Sequence, residues 1–95
     1  MPDIELLALK KTAQFRKDLK RMVKRKLNID LLDNIIQALR EQKVLEPKHR
    51  DHALTGDFAG FRECHIQANW LLIYLIDGKN LILTASRTGT HSDLF

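Results

Sequence analysis

Apolar positions along this chain follow three different spacings. Residues 4–9 are apolar apart from Glu5, and the near-continuous run predicts a short first strand with both faces covered. From Phe15 the spacing turns helical. Phe15, Leu19, Met22, Val23 and Leu27 form one stripe of a helix that begins at Ala13, with Thr12 as its N-cap. Asn28-Ile29-Asp30 interrupts the pattern. Asp30 is placed to cap a second helix, whose stripe is Leu31, Leu32, Ile35, Ile36 and Leu39. Pro47 predicts that this helix stops near Lys43, and the short connection predicts antiparallel helices.

Residues 46–60 are polar and turn-rich, which predicts a loop with a short strand toward its end. After it the spacing drops to two. Phe61–Gln67 places Phe61, Glu63, His65 and Gln67 on one side and Arg62, Cys64 and Ile66 on the other. Trp70–Ile76 is a dense apolar strand, and Asp77-Gly78-Lys79-Asn80 is a hairpin turn. Leu81–Arg87 is the last predicted strand, and Thr88-Gly89-Thr90 opens a tail ending in Leu94-Phe95. The predicted order is β-α-α-β-β-β in one domain over residues 1–95, an α+β fold with a helical hairpin packed on an antiparallel sheet.

Composition narrows the function. The 95 residues are 44% hydrophobic and 29% charged, as expected of one small folded core. No apolar run approaches the ~20 residues that span a bilayer, so no membrane partner is expected. The opening Met1-Pro2-Asp3-Ile4-Glu5 is acidic where a secretory signal is basic, and the expected location is the cytoplasm. Cys64 is the only cysteine, so no intrachain disulfide can form. The net charge of +4 is unevenly spread: nine of the 16 Lys and Arg residues fall between positions 10 and 26, against one acid, Asp18. Lys17, Lys20 and Lys24 line one outer face of the first helix. A basic segment on an otherwise acidic chain points to a polyanion such as nucleic acid, unless it is only a solvated face.

Four histidines, His49, His52, His65 and His91, are the residues best suited to chemistry. Imidazole gives and takes protons near neutral pH. Two in one cleft can deprotonate a ribose 2′-hydroxyl and protonate the leaving 5′-oxygen, which requires neither a metal nor a protein nucleophile. Arg62 and Arg87, each on a strand beside a histidine-bearing segment, are candidates to stabilise the charge on the phosphorane. No metal or cofactor is expected. Cys64 and His65 are adjacent on a strand and point to opposite faces, and no CxxC, HxxxH or HExxH spacing occurs. The same geometry leaves Cys64 without an activating base.

Several segments together resemble the YafQ-type toxins of the RelE superfamily. They are Asp51-His52-Ala53-Leu54-Thr55-Gly56, Gly60-Phe61-Arg62-Glu63-Cys64-His65-Ile66, Trp70-Leu71-Leu72-Ile73-Tyr74, and Arg87-Thr88-Gly89-Thr90-His91-Ser92-Asp93-Leu94-Phe95. The likeness is close over residues 51–95. Over residues 1–50 it extends to element order and to the basic first helix. It implies a bacterial toxin of a type II toxin–antitoxin pair that cleaves messenger RNA, typically in the A site of the 70S ribosome, and that is held inactive by a cognate antitoxin. It carries the family's active-site histidines onto His52, His65 and His91, the tryptophan onto Trp70, the closing phenylalanine onto Phe95 and the strand arginine onto Arg87, and it sets His49 aside. On this reading His91 is the general acid, His65 or His52 the base, and Arg87 the transition-state stabiliser. Trp70 and Phe95 hold the cleft or stack on a base, and the basic helix grips backbone phosphates.

One position departs from the family pattern. An aspartate commonly precedes the tryptophan, and here the residue is Asn69. An amide takes no proton at neutral pH, so a histidine must act as base, or Asn69 serves by hydrogen bonding to a histidine or to RNA. The substitution keeps open a non-catalytic or attenuated RNA or ribosome binder on the same scaffold; a further alternative is an interaction module, in which the basic helix serves only an acidic segment of an antitoxin.

Overall fold

The computed structural model describes residues 5–95, so Ile4 of the expected first strand lies outside the described residues. The elements are β1 (Ala8–Lys11), α1 (Ala13–Lys24), α2 (Ile29–Arg40), β2 (His52–Ala53), β3 (Arg62–Gln67), β4 (Trp70–Asp77), β5 (Ile82–Gly89) and α3 (His91–Leu94). Two helices thus pack on a five-stranded sheet in the order β1-β5-β4-β3-β2. The strands β2 to β5 are antiparallel, as the spacing predicted, but β1 runs parallel to β5, pairing Ala8 with Ile82 and Lys11 with Ala85. Among the described residues no helix is long and apolar enough to cross a membrane.

Several expectations are corrected. The first strand starts later and lies at the edge of the sheet. Leu7 and Leu9 turn inward while Leu6, Ala8 and Lys10 stay exposed, so the apolar run concealed an alternation with one covered face. The Thr12 hydroxyl caps α1 by accepting from the Phe15 amide, but the buried stripe is Phe15, Asp18 and Met22, and Val23 is 55% exposed. The cap of α2 is Asn28, whose Oδ1 accepts from the Asp30 amide. Asp30 sits instead in the first turn, where its charge suits the helix dipole. The loop expected over residues 46–60 holds two 3-10 turns, Pro47–His49 and Gly56–Phe58, on either side of β2. The last strand continues past Arg87 to Gly89, and the expected tail is a helical turn.

Both long helices end early, for the same reason. At the end of α1 the Lys26 amide reaches the Val23 carbonyl and the Leu27 amide reaches that of Met22; at the end of α2, Gln42 reaches Leu39 and Lys43 reaches Ala38. This double closure needs a left-handed residue, which Lys26 (φ 61°) and Gln42 (φ 59°) provide without being glycine. Lys26→Gly is therefore expected to raise stability by up to about 1 kcal/mol, read as a melting temperature a few degrees higher.

The sheet has two unlike faces. Toward the helices it packs Cys64, Ile66, Trp70, Leu72, Tyr74, Leu83 and Ala85 against Phe15, Met22 and the α2 stripe. The opposite face carries a smaller cluster of Leu71, Ile73 and Leu94, flanked by Leu54, Phe58 and Phe61. The polar side chains that share this second face with the smaller cluster form the candidate site.

Candidate functional site

Strand register builds the site. His52 pairs with Glu63, Glu63 with Ile73, and Ile73 with Arg87. Directly paired residues point to the same face, so one rung across four strands presents His52, Glu63, Ile73 and Arg87 side by side. The neighbouring rung is His65, Leu71 and Gly89. Two strand spacings, roughly 10 Å, separate its ends.

At one end of this surface stand two histidines and a carboxylate. His52 Nδ1 lies 2.6 Å from the Arg50 carbonyl and His65 Nδ1 3.3 Å from the Ala68 carbonyl. A carbonyl only accepts, so each Nδ1 carries a hydrogen, and it is Nε2 that has the lone pair whenever the ring is neutral. Both Nε2 atoms face Glu63 Oε1, His52 at 3.7 Å and His65 at 3.9 Å. Glu63 is 7% exposed. Sequence reasoning placed it on the His65 side of the strand but gave it no role; the alternation from Glu63 to His65 was the signal. His49, set aside at the sequence level, donates from Nδ1 to the His65 carbonyl at 2.7 Å and so braces that strand from outside.

Arg87 holds the other end of the rung. Its Nε and one Nη donate to the two Asp18 oxygens at 2.8 and 3.2 Å, and the Thr88 amide donates to Asp18 as well. Asp18 is fully buried. Burial opposes its charge, but Arg87, Gln14 and the Thr88 amide outweigh burial and hold the carboxyl below the ordinary range. The remaining Arg87 N–H groups are uncommitted among the described residues.

The tail closes over the smaller apolar cluster. Leu94 of α3 packs on Leu71 and Ile73. The His91 ring lies 4.9 Å from that of Phe95, which meets Phe58 edge-on at 5.5 Å. Thr90 and Asp93 form a reciprocal cap, and Arg25, the C-cap residue just after α1, grips Asp93 with two bonds of 2.7 and 3.0 Å. A Cβ on Gly89 would stand 2.9 Å from both Cβ and Oδ2 of Asp93, so this close approach requires glycine. The Arg25 bond, followed by the Thr90 amide, holds the Asp93 carboxyl far below its usual range. A depressed carboxylate contributes stability above its unfolded pKa of about 4, and that contribution is lost as pH falls through the folded value. Amide exchange at Leu94 and Phe95 should therefore accelerate selectively below about pH 4, ahead of exchange in β4.

Other expected site residues stand elsewhere. Trp70 is 2% exposed on the helix-side face, where its indole donates to Thr88 Oγ1 at 2.9 Å, so it cannot stack on a base. Arg62 pairs with Tyr74 on that same face and bonds Asp51, which also accepts from the Tyr74 hydroxyl; it is therefore absent from the histidine surface. Asn69 is exposed in the β3–β4 turn and makes no side-chain hydrogen bond among the described residues; the Ala68 carbonyl, not Asn69, orients His65. Lys17, Lys20 and Lys24 are exposed on α1, while Arg21 of that helix and Arg25 at its C-cap turn to Asp93. Cys64 is buried, which pushes its thiol up to about 12 and removes it as a nucleophile. Among the described residues no three His, Cys, Asp or Glu side chains gather as a metal cluster.

The fold and sequence have close counterparts. The mRNA interferase toxin YafQ of Escherichia coli K12 is 34% identical over 85 residues, 88% of this chain and 90% of that one. The metal-bound toxin from Helicobacter pylori superposes with a TM-score of 0.89 at 38% identity, covering 95% of this chain and 100% of that one. The toxin in the E. coli DinJ–YafQ toxin–antitoxin complex gives 0.86 at 31% identity, covering 95% and 98%. Residues 7–95 match the family described as the bacterial toxin of type II toxin–antitoxin systems, YafQ. The chain belongs to the YafQ family of bacterial type II toxins.

Proposed function

We propose that this chain is an mRNA interferase, an endoribonuclease that cuts messenger RNA in the ribosomal A site, and that an antitoxin restrains it as DinJ accompanies its E. coli relative. The observation that carries the chemistry is the placement of two histidines, each fixed through Nδ1 to a carbonyl, with both Nε2 atoms against one buried carboxylate.

In this reading the Nε2 of His65 or His52 takes the proton of a ribose 2′-hydroxyl, and Glu63 stabilises the imidazolium that results. The 2′-oxygen bonds to the adjacent phosphorus and the bond to the 5′-oxygen breaks. His91 supplies a proton to that leaving oxygen, and the remaining Arg87 donors stabilise the phosphorane. Phe95 contributes a stacking surface beside His91. Glu63 supplies the negative charge that the family aspartate would bring at position 69, so Asn69 is left to contact RNA. Lys17, Lys20 and Lys24 meet phosphates or rRNA away from the cut.

The mechanism fixes the product ends. Messenger RNA on programmed ribosomes should yield 2′,3′-cyclic phosphate and 5′-hydroxyl termini, and His65→Ala should yield far less of both. Fragments bearing 3′-hydroxyl ends, or no cleavage at all, would overturn the reading.

A further inference from the structure

The edge of β3 is only partly covered. The short β2 pairs with Arg62 and Glu63 alone, and beyond them the Pro47–His49 turn lies against the strand. Between this turn, the start of α2 and the β3 edge is a cleft of about 570 Å³. Lys48, His49 and Arg50 line it, and among the described residues no acidic side chain does. Its apolar wall is Leu31 and Ile66, and Gln67 adds an amide. His65 lines the cleft and also belongs to the histidine–carboxylate cluster on the other face of β3, so the two adjoin across the edge of that strand.

The cations here are available. The Arg50 side chain has no hydrogen bond or ion pair among the described residues, and its backbone is fixed at φ 45°, ψ 45°. Lys48 meets Glu46 at 3.8 Å, with both side chains more than two-thirds exposed, a contact that solvent screens almost fully. The Arg50 carbonyl is the group that holds His52 Nδ1. An anion drawn to Arg50 is thus registered against a candidate catalytic histidine.

We infer that this cleft is a nucleotide subsite for the RNA strand, seating the nucleotide next to the cleaved phosphodiester. The phosphate lies on Lys48 and Arg50, the base rests against Leu31 and Ile66, and the Gln67 amide faces a base edge. Apolar wall, cationic rim and single amide are together the chemistry of a nucleoside monophosphate unit. The inference rests on the ribonuclease reading and adds the path of the strand.

The test uses the full chain and a short, labelled, 2′-O-methyl RNA, which binds without being cut. Affinity is measured by anisotropy against salt, and contacts by amide chemical shifts. The Lys48→Ala/Arg50→Ala variant should bind about tenfold or more weakly, with a salt slope smaller by roughly 0.7, the contribution of one neutralised single-strand phosphate. Its cleavage defect should fall on KM more than on kcat. Lys79→Ala, a charge loss on the β4–β5 hairpin, should match the parent chain. Arg50→Gln, with its amide spectrum, separates lost charge from a disturbed turn. Shifts on RNA binding should centre on residues 48–50 and 65–68. Unchanged affinity and slope in the double variant, or shifts confined to α1, overturn the subsite while leaving the cleavage reading intact. Equal affinity for adenosine monophosphate alone marks a free-nucleotide site and also overturns it. A parent chain that neither binds nor cleaves RNA removes both readings.

Discussion

Ribosome-programmed cleavage by the His91→Ala variant is expected to fall by about 10²–10⁴-fold, while its melting temperature moves by no more than a few degrees. The two effects separate because of where the ring sits. His91 is exposed, its recorded ring contact is with Phe95 at 4.9 Å, and its carbonyl still accepts the Phe95 amide after the side chain is removed. Surface substitutions of this kind cost about 0.5 kcal/mol or less. A second variant excludes a purely supportive role. His91→Phe keeps a ring against Phe95 but cannot give a proton, so it should be as inactive as alanine. Full activity in either variant removes His91 as the general acid.

The largest stability loss is expected at Asp18→Ala. This carboxylate accepts two bonds from Arg87, one from the Thr88 amide and one from Gln14, and is wholly out of solvent. Its removal leaves a largely buried guanidinium unpaired and a buried amide without an acceptor. Breaking a buried pair from one side costs on the order of 3 kcal/mol, which for a chain of this size lowers the melting temperature by roughly 10–20 °C. Asp18→Asn keeps most of the hydrogen bonds and should lose less. Because the carboxyl is held below its usual range, the parent chain gains from Asp18 above the ordinary aspartate pKa, and that gain disappears as pH falls through the folded value. The gap in melting temperature between parent and Asp18→Ala should therefore narrow on acidification below about pH 4; a constant gap would contradict the ion-pair account.

Much of this architecture was legible in the spacing of apolar residues. The change from helical to alternating period located α1, α2, β3, β4 and β5, and the Asp77-Gly78 turn joined the last two. Side-chain direction was legible on β3, where alternation put Glu63 and His65 together. What the spacing missed depends on tertiary partners. Asp18 reads as a polar interruption of a basic helix because Arg87 and Thr88, which justify its burial, lie far along the chain. Trp70 and Arg62 belong to the helix-side face, and a motif read along one dimension cannot say that His65 and Trp70 point in opposite directions across a turn. The two-residue β2 is too short to have a period, yet it sets His52 opposite Glu63.

The parallel pairing of β1 with β5 has a consequence for biosynthesis. Ala8 can find Ile82 only after all the intervening elements have been made, and the last strand of the sheet occupies an interior position, between β1 and β4. Such long-range pairing forms late and slowly compared with the local hairpins. A nascent or truncated chain ending before β5 exposes the β4 edge, lacks Arg87 and His91, and has no rung spanning four strands. A chain that stops short of β5 therefore has only part of the candidate site, and the four-strand rung exists only once β5 has paired with β4.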